Sequence, residues 1–169
     1  MALAIPTGVS SNGTVIVTWV PTLADPTAPT VAEITAGTDL SCYLTTTGLS
    51  LSVNQTTTTA RRLCSTDDYT IGGSKTWTLG DLQYVWDPQG LYTDTNDAYV
   101  ALAPDTVGYI VIRWGKDAET LIAAADVVDV FSVTLQDQIP QTPEANSELY
   151  VNQPVIVSGA VHRDVAVVA

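Results

Sequence analysis

His162 is the sole histidine, and it stands beside Arg163 and Asp164. A histidine next to an aspartate is raw material for a Ser-His-Asp hydrolase. That chemistry also needs a serine exposed on a sharp turn, and no G-x-S-x-G elbow occurs in the chain. Asp67-Asp68 and Asp94-Thr-Asn-Asp97 come nearest to an oxygen-ligand site. Neither has the spacing of a twelve-residue calcium loop, and turn and helix-capping chemistry accounts for both. Gly72-Gly-Ser-Lys75 resembles a phosphate loop only in composition, because the Walker spacing and the following helix are missing. Cys42 and Cys64 form no C-x-x-C pair and have no neighbouring histidine. Cys42 falls in step with Leu40 and Leu44, which predicts a buried, reduced thiol; the spacing leaves a disulfide open. No catalytic, cofactor-binding or metal-binding set emerges, and the chain reads as a non-enzyme.

The charge balance excludes more. Eighteen acids face six bases, for a formal net charge of −12. Residues 1–60 contain no Lys or Arg, and residues 117–162 carry seven acids and no Lys or Arg. Proteins that hold nucleic acid concentrate positive charge to displace counterions, and this chain does the reverse. It should grip neither DNA nor an anionic membrane surface. Nothing approaches the ~18 apolar residues of a membrane helix, and the first residues lack the basic start of a secretory signal.

Only 14% of residues are charged while 46% are apolar, against about 25% charged in an average domain. Thr, Ser, Gln and Asn fill the gap. Such a surface is cheaper to desolvate against a protein partner than a charged one, which points to extensive assembly. At 169 residues the chain suits one domain with arms and can bury roughly 70% of its unfolded surface.

Strand patterns dominate. Residues 15–20 alternate until Pro21, and residues 21–30 hold three prolines, which favours an extended arm. Thr30-Val-Ala-Glu33 suits a capping box for one short helical turn ending at Gly37. Residues 39–45 alternate as a strand. The Thr-rich stretch 45–60 is either a long hairpin or a mobile loop. Ile71–Lys75 reads as a turn into a strand over 75–87. There the apolar phase switches from Trp77 and Leu79 to Leu82, Tyr84 and Trp86, so a bulge at Gly80-Asp81 would keep all five on one face. Residues 94–103 form the helix candidate, with Asp94 or Thr95 as cap, Asp97 in the first turn, Ala98, Tyr99 and Leu102 on one face, and Pro104 as the stop. Val107–Trp114 is a strand covered on both sides.

Three strands should complete the chain. In the first, Val127, Phe131, Val133, Leu135 and Ile139 share a face opposite Ser132, Thr134, Gln136 and Gln138. The second carries Leu149, Val151, Val155 and Val157, and the third spans Val165–Val168. The four tryptophans sit at strand-like positions, as core or interface anchors rather than sugar platforms. The fold class is mainly β, a sandwich or barrel-like sheet with a short flanking helix.

Four stretches carry a resemblance to a known family. They are ADPTAPTVAEITAGTDLSCYL from Ala24, RRLCSTDDYTIGGSKTWTLGDLQYVWDPQG from Arg61, NDAYVALAPDTVGYIVIRWG from Asn96, and the run from Ala125 to the end. In this order and spacing the chain resembles the major tail tube proteins of long, non-contractile-tailed bacteriophages, particularly the group common in phages of actinobacteria. The Thr-rich stretch before Arg61 departs most from the pattern.

The resemblance implies a tail-tube-type β-sandwich or half-barrel. Six copies would form a ring with a β-barrel lining, and stacked rings would make a hollow tube. That tube would enclose the tape measure protein, meet tail terminator and distal tail proteins, and pass DNA without binding it. The location implied is the virion tail, after synthesis in the host cytoplasm. Segments 21–30, 45–60 and 139–146 are candidate assembly arms. Ser132, Thr134, Gln136 and Gln138 are the expected lumen-lining row. The alternatives are another virion component (terminator, connector or capsid decoration protein) or a carbohydrate-binding β-sandwich module.

Overall fold

Five of the six residues in Val15–Val20 are β-branched, and the segment forms strand β1. A computed structural model of the chain describes residues 7–90 and 96–169. β1 pairs antiparallel with β6 (Val107–Trp114) along its whole length. β6 pairs with β7 (Val127–Leu135), and β7 with β10 (Val155–Ala166). With the two-residue β2 (Thr38–Asp39), they form a five-stranded sheet of order β10-β7-β6-β1-β2. A three-stranded sheet, β5 (Leu82–Val85), β9 (Tyr150–Gln153) and β8 (Ile139–Pro140), is ordered β5-β9-β8. β3 (Leu51–Ala60) and β4 (Tyr69–Leu79) form a two-stranded hairpin. The fold is mainly β, a sandwich whose sheets stay open rather than closing into a barrel.

The principal core lies between the five-stranded and three-stranded sheets. Val17, Trp19, Ile110, Ile112, Phe131, Val133 and Leu135 come from the first; Leu82, Tyr84 and Val151 come from the second. Each such side chain contributes about 1.5–3 kcal/mol by leaving water. A smaller core covers part of the other face of the large sheet, where Val111, Val128 and Val130 meet Leu23, Ile34 and Val167. This explains why β6 is apolar at consecutive positions. At Gly108 the sheet has no room for a side chain, because an added Cβ would lie 2.6 Å from the Trp19 ring. Gly108→Ala should cost about 1–3 kcal/mol by overpacking, read as a lower denaturant midpoint.

The capping box forms. Thr30 caps α1 (Val31–Thr35), its hydroxyl accepting from the Glu33 N–H while the Glu33 carboxylate accepts from the Thr30 N–H. The Pro-rich segment before it is not an extended arm: it turns at residues 25–28, where the Ala28 N–H bonds the Asp25 carbonyl, and is seated on the body, with Leu23 buried and the Ala24 N–H bonded to Glu33. α2 (Asp97–Ala101) is shorter than the expected helix; Ala98 and Leu102 are buried, and Tyr99 packs on the core. The expected caps Asp94 and Thr95 lie outside the described residues. Asn96 holds the N-cap position, and its amide instead clasps the 87–90 turn through the Asp87 and Gly90 carbonyls.

Four expectations need correction. Residues 40–45 are not a strand, because the chain turns after β2, and Cys42 is exposed rather than buried. Ile71–Lys75 is not a turn but the middle of β4, and the reversal falls at residues 61–68. The phase switch at Gly80-Asp81 is a break between β4 and β5, which belong to different sheets, not a bulge within one strand. All five apolar side chains nonetheless join the principal core. The second of the last three expected strands is split at Pro154 between β9 and β10, which lie in different sheets, and β10 runs on from Val155 to Ala166 through two register shifts to take in the start of the third.

Candidate assembly surfaces

The long Thr-rich stretch resolves into the hairpin. Its root is apolar: Leu51 and Leu79 face each other, Val53 faces Trp77, and Trp77 meets Phe131 edge-on at 6.3 Å between centroids. Arg163 lies 5.8 Å from the Trp77 ring centroid, a cation–π contact. Beyond the root, nearly every side chain of β3 and β4 is exposed, and no third strand joins them among the described residues. A two-stranded ribbon in water is marginal alone, so such an extension gains order from whatever packs on it.

β4 holds one residue too many. Gln55 pairs with Lys75 and Thr57 with Gly72, so Thr56 opposes both Gly73 and Ser74. The extra residue inverts the facing of everything beyond it. Ile71 and Tyr69 share odd numbering with Trp77 and Leu79, yet they pair with Thr58 and Ala60 on the opposite face. Both are more than half exposed, at 53% and 54%. The glycines read as a turn therefore mark a bulge that aims two large apolar side chains outward.

β10 is the second surface. It is 12 residues long and pairs on one side only, with β7. Among the described residues, no backbone group on its outer edge between Val155 and Ala166 has another strand as partner. A long open edge is a template for another chain.

The third surface is the part of the large sheet that α1 and the C-terminal residues leave uncovered. Ser132 and Thr134 lie there, half-buried, beside Tyr109 and Ile156 and opposite the face of Phe131, Val133 and Leu135. Gln136 and Gln138 follow the end of β7, and Gln138 departs from its alternation. Gln136 is half-buried, with its N–H on the Pro154 carbonyl. Gln138 turns its amide inward, donating to the Tyr84 hydroxyl at 3.0 Å and the Tyr99 and Leu102 carbonyls at 2.8 and 3.1 Å. Tyr84 in turn donates to Gln153, which bonds the Leu102 and Gln136 carbonyls. Burial raises the Tyr84 pKa far above its ordinary value and so keeps the phenol neutral. Gln153, which sequence patterning passed over, closes a fully bonded polar network inside the sandwich.

The polar clusters nearby have structural roles. Asp129 sits at the core margin and accepts from Trp114 Nε1 and the Asp164 N–H, with Arg163 at 3.4 Å. His162 is a half-buried member of β10 opposite Val130. Among the described residues no group of three or more His, Cys, Asp or Glu is gathered as metal ligands, and no helix is long and apolar enough to cross a membrane. Trp19 is core, Trp86 stacks on Tyr99, and Trp114 stays 45% exposed.

No curated protein matches the chain in sequence. Among solved structures, the cryo-EM structure of the anti-feeding prophage baseplate, 6-fold symmetrised, shares the fold. The TM-score is 0.55 at 10% identity, over 95% of this chain and 96% of the other. A family model described as phage tail tube protein matches residues 3–169. With nearly its whole length covered, the chain belongs to the phage tail tube protein family and is a structural component of the tail.

Proposed function

We propose that this chain assembles into stacked hexameric rings. They form the hollow tail tube of a long, non-contractile-tailed phage of the actinobacteriophage-like group. The tube encloses the tape measure protein, abuts terminator and distal tail proteins, and conducts genomic DNA into the host. Subunits are made in the host cytoplasm and persist in the virion tail. The observation that carries this reading is the open 12-residue edge of β10. A head-to-tail neighbour can complete that edge, and such heterologous contacts close into a ring when the rotation permits. Sixfold closure is supported by the fold shared with a baseplate solved under 6-fold symmetrisation. Segments 45–60 and 139–146 act as arms to neighbouring subunits, while 21–30, anchored on its own body by Leu23, offers its exposed residues as a contact surface.

Electron microscopy of the purified chain tests the proposal. Hollow tubes or stacked rings are expected. A single closed ring would point to a terminator or connector, and a stable glycan-binding monomer to a carbohydrate module.

Within the tube, Ser132, Thr134 and Gln136 face the lumen, while the Gln138 amide is occupied inside its own subunit. A neutral polar wall on a chain of net charge −12 keeps DNA from adhering, an effect salt screens beyond roughly 8 Å. Lys at Thr134 and Gln136 should slow genome release severalfold and leave tube length normal. Unaltered ejection kinetics at low salt would reject the lumenal assignment.

A further inference from the structure

The chain has five asparagines, and the structure sets one of them apart from the rest. Asn96 is 4% exposed, and its amide donates to the Asp87 and Gly90 carbonyls. Asn54 and Asn152 lie within paired strands, opposite Thr76 and Gln83. Asn146 is exposed, but the amide that follows it is engaged, because Ser147 donates to the Glu144 carbonyl. Asn12 differs on each count. It is exposed in the turn before β1, and its backbone N–H bonds the Ser10 hydroxyl. Its side-chain amide has no hydrogen-bond partner among the described residues, and neither has the N–H of the next residue, Gly13.

Gly13 is also open to approach. Its φ of 70° is one that glycine adopts without strain. A Cβ built there would meet nothing within 4 Å, so no packed neighbour shields the peptide. Asparagine is among the chemically labile residues, and here its carboxamide and the adjoining nitrogen are both free to react.

We propose that Asn12 is a self-modification site, converted to aspartate and isoaspartate by its own backbone. The Gly13 nitrogen attacks the Asn12 side-chain carbonyl carbon and closes a five-membered succinimide. The side-chain nitrogen leaves as ammonia, taking the proton that the backbone nitrogen gives up. Water then adds to either ring carbonyl and breaks its bond to nitrogen, restoring the N–H. One opening yields aspartate; the other yields isoaspartate, in which the main chain runs through the side-chain carbon. Nothing is oxidised, and water is the only co-reactant.

The consequence falls on the loop after β6. The Gly13 carbonyl accepts from the Ala118 N–H at 2.8 Å and so ties the turn before β1 to that loop. Asp117 and Glu119 flank Ala118, and a new carboxylate at position 12 adds like charge beside them. Isoaspartate also lengthens the main chain just ahead of the Gly13 carbonyl. Both changes loosen the tie.

Ageing the purified full chain for days at mildly alkaline pH, where the attacking nitrogen loses its proton more readily, tests the proposal. Mass spectrometry of its peptides should place the gain from replacing NH by O at residue 12. Sequential degradation of that peptide from its N-terminus should stall there, at isoaspartate. Asn12→Gln, which would have to close a larger ring, should react severalfold more slowly with unchanged circular dichroism. Amide exchange at Ala118 should quicken severalfold in the aged chain, and Asn12→Asp should reproduce the part due to charge. No conversion at residue 12, conversion at another asparagine first, or an equal rate in Asn12→Gln would overturn the site. Converted chains with unchanged exchange at Ala118 would overturn its effect on the loop.

Discussion

Asp126→Ala is expected to destabilise the subunit by about 3–5 kcal/mol, because it strands a guanidinium in the protein interior. Arg113 is 2% exposed at its side chain and lies 3.2 Å from Asp126, whose own side chain is 10% exposed. The rest of the Arg113 fork donates to the Asp117 and Leu121 carbonyls and so fastens the 115–126 loop over the sheet. Asp126 further accepts from Lys116 at 2.8 Å and from the Ala123 N–H. Removing the carboxylate breaks all three contacts at once. Urea unfolding at neutral pH should show the loss.

The double variant Arg113→Met/Asp126→Ala should lose less than Asp126→Ala alone, since an apolar replacement of the pair leaves no uncompensated charge. Equal losses in the two variants would refute this assignment.

The same carboxylate gives the protein an acid limit. The hydrogen bond from Lys116 holds the Asp126 pKa below the ordinary value; burial opposes the shift, while the Ala123 N–H and Arg113 reinforce it. Its folded pKa is therefore lower than its unfolded one. The contribution is complete above the unfolded value, about 3.9, and disappears as the pH falls through the folded value. Parent and Asp126→Ala stabilities should converge in acid, and a constant gap across the titration would contradict the linkage.

Phe131→Ala should cost a further class of stability, about 3–5 kcal/mol, by opening a cavity at the junction of sheet and hairpin. Phe131 is 1% exposed, lies in the centre of β7 and supports Trp77 from below. Its loss should loosen the hairpin root as well as the core. Trypsin, which cuts after basic residues, should then cleave at Arg61-Arg62 faster than in the parent. Phe131→Leu keeps most of the volume and should cost less than about 1.5 kcal/mol. A destabilised variant with unchanged cleavage would show that the hairpin does not depend on this contact.

The β7 alternation was legible because apolar and polar side chains obey a period of two wherever both faces differ. Its limit shows at Gln138: the expected row assumed a strand that continued, and β7 ends at Leu135, after which phase predicts nothing. The α1 capping box was legible because its partners are only three residues apart. The 40–45 turn misled for the opposite reason. Three apolar residues in alternate positions look like a strand, but the local hydrogen bonds of Tyr43 and Leu44 to the Leu40 carbonyl make a turn. The bulge within Ile71–Lys75 was equally hidden, since glycine marks turns and bulges alike and only the partner strand distinguishes them.

The chain's own residues determined that it is a β protein, acidic and poorly charged, because strand propensity, local caps and net charge are properties of neighbours along the chain. Tertiary structure alone decided which strand edge stays open, which way Tyr69 and Ile71 point, and that Gln138 and Gln153 seal the core around Tyr84. Those outcomes depend on register between strands far apart in sequence, where one inserted residue exchanges inside for outside.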